Sequence, residues 1–198
     1  AYNPWRNVTG MLHYQTAAGK VASAFGNFTT NNFINLNYVE GAFGGKFMLK
    51  KPNLKLGLYT GAGHGQVKNG YGGDITSNLR YNKYFLQPTL LFQGQIAHFG
   101  LGIRLSNLAF NKGEVDVAIP AQDLQEIGYI GDRSPFTILE AGLQMGFHFK
   151  PFTWILAIQR SKIYDSLEYY QLGFQPNSVL LGCKLNLNEL KRKKRTSP

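Results

Sequence analysis

The sequence predicts an all-β fold, specifically a closed antiparallel up-and-down transmembrane β-barrel of about eight strands. Apolar and polar residues alternate over many segments, which is the two-residue period of a strand with unlike faces. Short connections alternate with long ones, as in outer-membrane barrels. The 198 residues include 23 Gly, 14 Phe and 11 Tyr, an enrichment typical of barrels.

The alternating segments are taken in chain order. We predict strands at 19–28, 35–49, 54–66, 81–93, 97–110, 135–149, 152–163 and 178–188. Residues 1–18 are predicted to be an N-terminal periplasmic lead segment, 19–188 the transmembrane barrel and 189–198 a basic periplasmic tail. Helical periodicity is nearly absent, and a single helical turn is expected around 121–127.

The connections between these strands predict an orientation. Short turns are expected at 50–53, 93–95 and 150–151, and longer loops at 67–80, 111–134 and 164–177, with a shorter polar connection at 29–34. Barrels of the bacterial outer membrane place short turns in the periplasm and long loops outside the cell. An even number of strands then places both termini in the periplasm.

The composition of the two faces predicts which one meets lipid. In 97–105 the apolar parity carries bulky residues such as Phe99 and Leu101, whereas the other parity carries Gly100, Gly102 and Arg104. Small residues suit the crowded interior of a narrow barrel. A bulky, uncharged parity suits contact with lipid. The alternative is a soluble, lipocalin-like barrel that carries a small ligand in an apolar cavity.

The polar parity predicts an interior network of charges. It gathers Glu40, Lys46, Lys55, Tyr59, Lys83, Arg104, Glu140, His148 and Lys184. Charges in so narrow an interior must pair, because isolated burial costs several kcal/mol. We predict that Arg104 pairs with Glu40 and Glu140, and we place Lys46 and Lys184 in the same network. A proton or ion path along these groups is the alternative.

The chain has a formal net charge of +10, and a cluster of basic residues lies near its C-terminus. The tail contains Lys191, Arg192, Lys193, Lys194 and Arg195. Such a cluster is either a solvated end or a contact for anionic lipid headgroups at the periplasmic surface. Nucleic acid is not expected as a partner, because no aromatic stacking platform accompanies the cluster.

The sequence predicts no catalytic residue, metal site or cofactor. Residues 61–73 are rich in glycine but lack the helix and the Lys-Ser/Thr pair of a phosphate loop. Cys183 is the only cysteine. A lipid A-modifying acyl hydrolase barrel is an alternative function, although such an enzyme needs a His beside its Ser. His98 lies eight residues from Ser106 on one predicted strand, about 26 Å away.

Several short stretches resemble one protein family. They are "YNPWRNV" at 2–8, "NYVEGAFGGKF" at 37–47, "LYTGAGHGQV" at 58–67, "FLQPTLLF" at 85–92 and "RLSNLAF" at 104–110. The chain thus resembles the Bacteroidetes-type outer-membrane β-barrel lipoproteins, which are largely uncharacterised. The resemblance implies a lipidated cysteine just before Ala1, although the chain itself lacks that cysteine. Longer members have one more hairpin and ten strands.

Together these observations predict a non-enzymatic integral outer-membrane barrel. An eight-stranded barrel is too narrow to conduct solutes. We therefore expect a structural or accessory subunit of a larger outer-membrane complex for protein insertion, secretion or nutrient uptake. Its partners would be outer-membrane lipids and the subunits of that complex. They would bind the lipid-facing wall, the 111–134 loop or the basic tail.

Overall fold

A computed structural model describes residues 6–15, 20–30, 34–49, 53–116, 118–163 and 177–185. They form an antiparallel sheet of nine strands in sequence order, curled into a half-barrel. The elements are β1 (Arg6–Gln15), β2 (Lys20–Thr30), β3 (Ile34–Met48), β4 (Leu54–Gly70), β5 (Thr76–Gln93), β6 (Ala97–Val115), α1 (Ala121–Arg133), β7 (Phe136–Phe149), β8 (Phe152–Ile163) and β9 (Asn177–Leu185). The predicted all-β, antiparallel, consecutively paired fold is confirmed.

Strand β1 lies in the segment that was predicted to be a periplasmic lead. It pairs with β2 from Arg6↔Thr30 to Gln15↔Val21, so the described sheet has nine strands rather than eight. Because neighbours are antiparallel, β1 and β9 run in the same direction, and Arg6 and Leu185 lie at opposite ends of the sheet. The described strands therefore number nine where about eight were predicted, and the periplasmic placement of both termini stays a prediction.

The two ends of the sheet differ in their connections. Residues 94–96 and 150–151 join strands at one end, here called the turn end, and 71–75 and 116–135 join them at the other, the loop end. The loop predicted at 67–80 is shorter, because the β4–β5 ladder continues to Gly70↔Thr76. Gly72 and Gly73, with φ of 105° and 59°, supply the left-handed backbone that closes it.

Helix α1 fills the connection between β6 and β7. It is 13 residues long, rather than the single turn that the sequence predicted. Ile127 and Ile130 are buried on one side of the helix, whereas Leu124 is exposed. The buried pair packs into the apolar core of the sheet, which also contains Val67, Leu79, Tyr81, Leu108, Phe136, Ile138 and Ile163. The helix therefore covers the concave face at the loop end.

A small polar cluster lies beside this core. Asn69 Nδ2 donates a hydrogen bond to Ser77 Oγ at 3.2 Å, and the Tyr71 hydroxyl is 3.1 Å from the same oxygen. Burial raises the pKa of the Tyr71 phenol. Burial thus favours the protonated phenol, which is a hydrogen-bonding group at the start of the 71–75 turn.

Candidate functional site

The convex face of the half-barrel carries a belt of exposed apolar side chains. On β6, Phe99, Leu101, Ile103 and Leu105 are between 45% and 54% exposed. Other members of the belt are Val39, Phe43, Phe47, Leu56, Leu58, Tyr84, Leu86, Leu90, Phe92, Leu143, Phe147, Phe149, Phe152, Trp154, Ile158, Val179, Leu181 and Leu185. The predicted apolar parities thus share one surface, and that surface faces outwards.

The belt has two borders. Towards the turn end it finishes in exposed aromatic rings, among them Phe47, Phe92, Phe152 and Trp154. Towards the loop end it gives way to polar residues on the same face, such as His64 and Asn82, whose side chains are 2.9 Å apart. On β6 the apolar stretch 97–105 is about 26 Å long. This stretch has the length of one tilted strand crossing of a bilayer, about 9–11 residues.

The concave face opposite the belt holds an ion-pair network. Arg104 Nη1 lies 3.1 Å from Glu40 Oε2, and Arg104 Nε lies 4.0 Å from Glu140 Oε2. The structure therefore brings together the three residues that the sequence grouped. Lys83 also joins them, at 2.8 Å from Glu140 Oε2. We call these four residues the charge network.

Glu140 is the most heavily bonded member of the charge network. Ser106 Oγ donates to its Oε2 at 3.0 Å, and Gln159 Nε2 donates to its Oε1 at 2.9 Å. Arg104 likewise donates from Nε to Gln87 at 2.8 Å, and its guanidinium lies 4.1 Å from the centroid of the Phe85 ring. The Glu140 carboxylate and the Arg104 guanidinium are thus each compensated by several partners, as buried charges require.

Lys46 and Lys184 were predicted to belong to this network, but they lie in a second group nearer the turn end. Lys46 is opposite Gly57 in the β3–β4 ladder, and Lys184 is opposite Thr153 in the β8–β9 ladder. The Lys46 ammonium is close enough to the ammonium groups of Lys184 and Lys55 to interact electrostatically with each of them. We call Lys46, Lys55 and Lys184 the lysine group.

Two histidines lie beside the lysine group in a chain of hydrogen bonds. His98 Nδ1 is 3.3 Å from His148 Nε2, and their ring centroids are 5.1 Å apart. Gln144 Nε2 is 3.2 Å from His98 Nε2, and His148 Nδ1 is 3.0 Å from Thr153 Oγ1. The Gln144 amide nitrogen can only donate, so His98 Nε2 accepts and the His98 proton is on Nδ1. His98 Nδ1–H then donates to His148 Nε2, and His148 Nδ1–H donates to the Thr153 hydroxyl. The sequence placed His148 inside but gave no sign of this chain.

Close ring packing explains the glycine-rich concave face. A Cβ on Gly61 would overlap the Gly41 carbonyl oxygen and lie 2.6 Å from Phe85 Cζ, and a Cβ on Gly65 would overlap the Tyr81 ring. Gly146 gives room to His98 in the same way. The stretch 61–73 is accordingly the end of β4 and the turn that follows it, as predicted, and these glycines accommodate aromatic rings.

Ser106 was considered as the nucleophile of an acyl hydrolase, but its hydroxyl is bonded to Glu140. The described histidine side chains bond to Asn82, Gln144, Thr153 or each other. Within the described residues, no three His, Cys, Asp or Glu side chains could together hold a metal ion. Cys183 is exposed, on the convex parity of β9.

The predicted lipid-contacting residues 191–195 lie outside the described part of the chain. Among the described residues, no helix is both long enough and apolar enough to cross a membrane. Comparison of the chain with models of protein families and with curated proteins gives no match.

Proposed function

We propose that this protein is an integral β-barrel of the bacterial outer membrane, with its convex face against lipid acyl chains. One observation carries the proposal. The belt exposes large apolar side chains such as Leu101 at 54% and Leu181 at 85%, while ionised groups occupy the concave face behind it. In water this distribution would leave far more contiguous apolar surface than soluble monomers expose. In lipid it places each group in its favourable environment.

We further propose that the curled sheet closes into a barrel. Spanning sheets need closure, because an open edge in lipid leaves backbone groups without partners. The electrostatic proximity of Lys46 on β3 to Lys184 on β9 supports closure, since it brings strands from opposite sides of the sheet near each other. Because β1 and β9 run in parallel, closure takes either a parallel β1–β9 pairing or one more strand between them.

The proposed role is that of a non-enzymatic structural or accessory subunit in a larger outer-membrane complex. The charge network and its aromatic neighbours fill the concave face at mid-height, and α1 covers the loop end, which argues against a solute path. Ser106 has a carboxylate as its partner, which argues against acyl hydrolysis. Charges at mid-height also argue against a dry ligand cavity. Partners would bind the belt or the connection that contains α1.

The membrane assignment is tested by placing a charge on the belt. Leu101 lies between Leu90 and Leu143 at mid-belt, so Leu101→Arg should lower the free energy of unfolding in phosphatidylcholine vesicles by about 2–4 kcal/mol. Asn107→Arg is the matched control, because Asn107 is exposed on the same strand and face at the loop-end border of the belt, two residues past Leu105 and opposite Tyr84. Urea titration followed by tryptophan fluorescence measures both. Equal effects, or a folded monomer without lipid or detergent, would contradict the assignment.

The accessory role is tested separately. Affinity purification in mild detergent, followed by mass spectrometry, should recover the protein with stoichiometric outer-membrane partners. Recovery as an isolated monomer would remove the support for a complex. Planar bilayers containing the purified protein should show no discrete channel openings, and reproducible openings would show that the interior conducts.

A further inference from the structure

The belt ends in different side chains on different strands at its loop-end border. On β8 the first polar convex residue past the belt is Arg160, which follows Ile158 on the same face and is exposed. On β3, β5, β6, β7 and β9 the corresponding residue is uncharged: Asn37, Asn82, Asn107, Thr137 and Asn177. On β8, therefore, a guanidinium lies directly at the edge of the apolar surface.

The apolar surface continues across three neighbouring strands up to this arginine. Ile158 is opposite Leu143 on β7 and Val179 on β9, and each of these side chains is at least 50% exposed. We call these three residues the apolar row. Arg160 lies two residues further along β8, about 6.6 Å away. The change from exposed hydrocarbon to a full positive charge thus takes place within one step of the convex face.

The neighbours of Arg160 leave its guanidinium accessible. Ala141 on β7 and Asn177 on β9 are opposite it in their ladders, and both are exposed. The alanine is too small to cover the guanidinium, and the Asn177 amide adds a hydrogen-bond donor beside it. Within the described residues, Arg160 has neither an ion-pair nor a hydrogen-bond partner. Its N–H donors are therefore available to a ligand.

The charge on the convex face around Arg160 is positive. Lys162, two residues further along β8, lies on the same face and is exposed. The described strands contain three carboxylates, and two of them belong to the charge network on the concave face. The third, Glu114, lies two strands away on β6, opposite Asn78. An anion is therefore the complementary ligand at this point of the border.

The two adjoining surfaces together specify the kind of anion. A guanidinium binds phosphate through paired N–H···O bonds. A soluble phosphate compound would leave the apolar row uncovered, and a neutral lipid would leave Arg160 without a counter-charge. A lipid with a phosphate in its headgroup carries hydrocarbon and an anion next to each other, in the same order as the apolar row and Arg160. One molecule of that class would satisfy both surfaces.

We propose that Arg160 and Asn177 bind the phosphate of an anionic lipid headgroup, whose acyl chain lies against the apolar row. The proposal rests on the proposed membrane function, because the belt must face acyl chains for such a headgroup to reach Arg160. It adds a preferred class of lipid and a fixed position for that lipid on β8. Lys162 adds positive potential to the same site.

The test uses the full chain in octyl glucoside, a detergent without phosphate. Native mass spectrometry measures Kd for the first lipid bound, with phosphatidic acid in one titration and diacylglycerol of the same acyl chains in the other. The two lipids differ only in the phosphate, so the ratio of their Kd values isolates its contribution. We expect phosphatidic acid to bind roughly tenfold more tightly, through charge-assisted hydrogen bonds. Arg160→Gln should reduce this preference about fivefold, which corresponds to ~1 kcal/mol per basic residue at a membrane surface.

Arg133→Gln is the matched control. It removes the same group from the exposed last turn of α1, which lies at the same end of the sheet but on the concave side. Because exposed charges are screened over distance, it should change the preference less than about twofold. The basic tail is present in every variant, so its contribution is common to all of them. Circular dichroism establishes that each variant is folded.

The outcomes separate this inference from the membrane function. The inference is overturned if phosphatidic acid binds no more tightly than diacylglycerol, if Arg160→Gln keeps the full preference, or if Arg133→Gln reduces it as much. Those results concern the headgroup, whereas the comparison of Leu101→Arg with Asn107→Arg tests the belt. A chain that folds as a monomer without lipid or detergent would overturn the membrane function and this inference together.

Discussion

Replacing Arg104 by leucine removes the residue that joins the two sides of the charge network. Glu40 would lose its guanidinium partner at 3.1 Å and keep the Tyr38 hydroxyl, which donates to Oε2 at 2.8 Å. Gln87 would lose a donor at 2.8 Å, and Phe85 would lose the cation over its ring. Glu140 would keep Lys83, Ser106 and Gln159, so the damage should centre on Glu40.

The magnitude follows from the exposure of the two charges. Removing one partner of a buried pair costs about 3–5 kcal/mol. The Arg104 side chain is 25% exposed and that of Glu40 only 7%, so solvent screening favours the lower limit. The lost Gln87 bond and ring contact add about 1 kcal/mol each. Burial of the apolar leucine side chain stabilises the folded state by about 2 kcal/mol. We expect Arg104→Leu to lower the free energy of unfolding by about 3 kcal/mol.

A double-mutant cycle measures the coupling directly. Arg104→Leu, Glu40→Gln and the double variant are folded into phosphatidylcholine vesicles and titrated with urea. Because Glu40→Gln removes the uncompensated charge, the double variant should be more stable than the sum of the single effects predicts, by at least about 1 kcal/mol. An additive cycle, or an unchanged unfolding midpoint in Arg104→Leu, would refute the charge network as a stabilising feature.

Two further substitutions test the packing of the concave face. Gly65→Ala should cost about 1–3 kcal/mol, because the new Cβ overlaps the Tyr81 ring; Gly41→Ala on the paired strand β3 meets nothing within 4 Å and should be nearly neutral. Ile130→Ala should cost about 2–5 kcal/mol, because Ile130 is 0% exposed under α1. Leu124→Ala on the same helix, where the side chain is 45% exposed, should cost less than 1 kcal/mol. Urea titration measures all four, and equal effects within either pair would contradict the packing described above.

Much of the sheet could be predicted because its signal is local. The alternation that separates Leu101 from Gly102 places their side chains on opposite faces whatever the partner strand is. In β1, one parity of the sequence carries Val8, Leu12 and Tyr14, and the other is polar except for Met11. Its signal was present in the sequence and was missed because the segment was taken for a lead.

The grouping of Arg104 with Glu40 and Glu140 was predicted, but the pairing of Lys83 with Glu140 could not be predicted from periodicity. Lys83 and Glu140 are 57 residues apart, and their pairing depends on the registers of β5, β6 and β7 and on the curl of the sheet. Helix α1 was underestimated because Gly128 and Gly131 weaken its local helix propensity. Burial of Ile127 and Ile130 against the sheet stabilises it instead.

The residues of β5 fix the depth of the strand as well as its faces. Near the loop end its concave residues Leu79 and Tyr81 are buried and apolar, while Arg80 on the convex face is exposed. A few residues on, Lys83 is the concave charge and Leu86 belongs to the belt. A slip of one residue would exchange the two faces.

A slip of two residues would keep the faces but still be costly. It would move Lys83 towards the apolar core or Arg80 towards the belt, and a basic residue on a lipid-facing surface costs up to about 2–4 kcal/mol. Alternation alone permits every two-residue slip. The reversal of polarity along β5 removes that freedom, so the strand specifies the level at which apolar core ends and charge network begins. If the belt faces lipid, the same reversal sets how deeply the sheet sits in the bilayer.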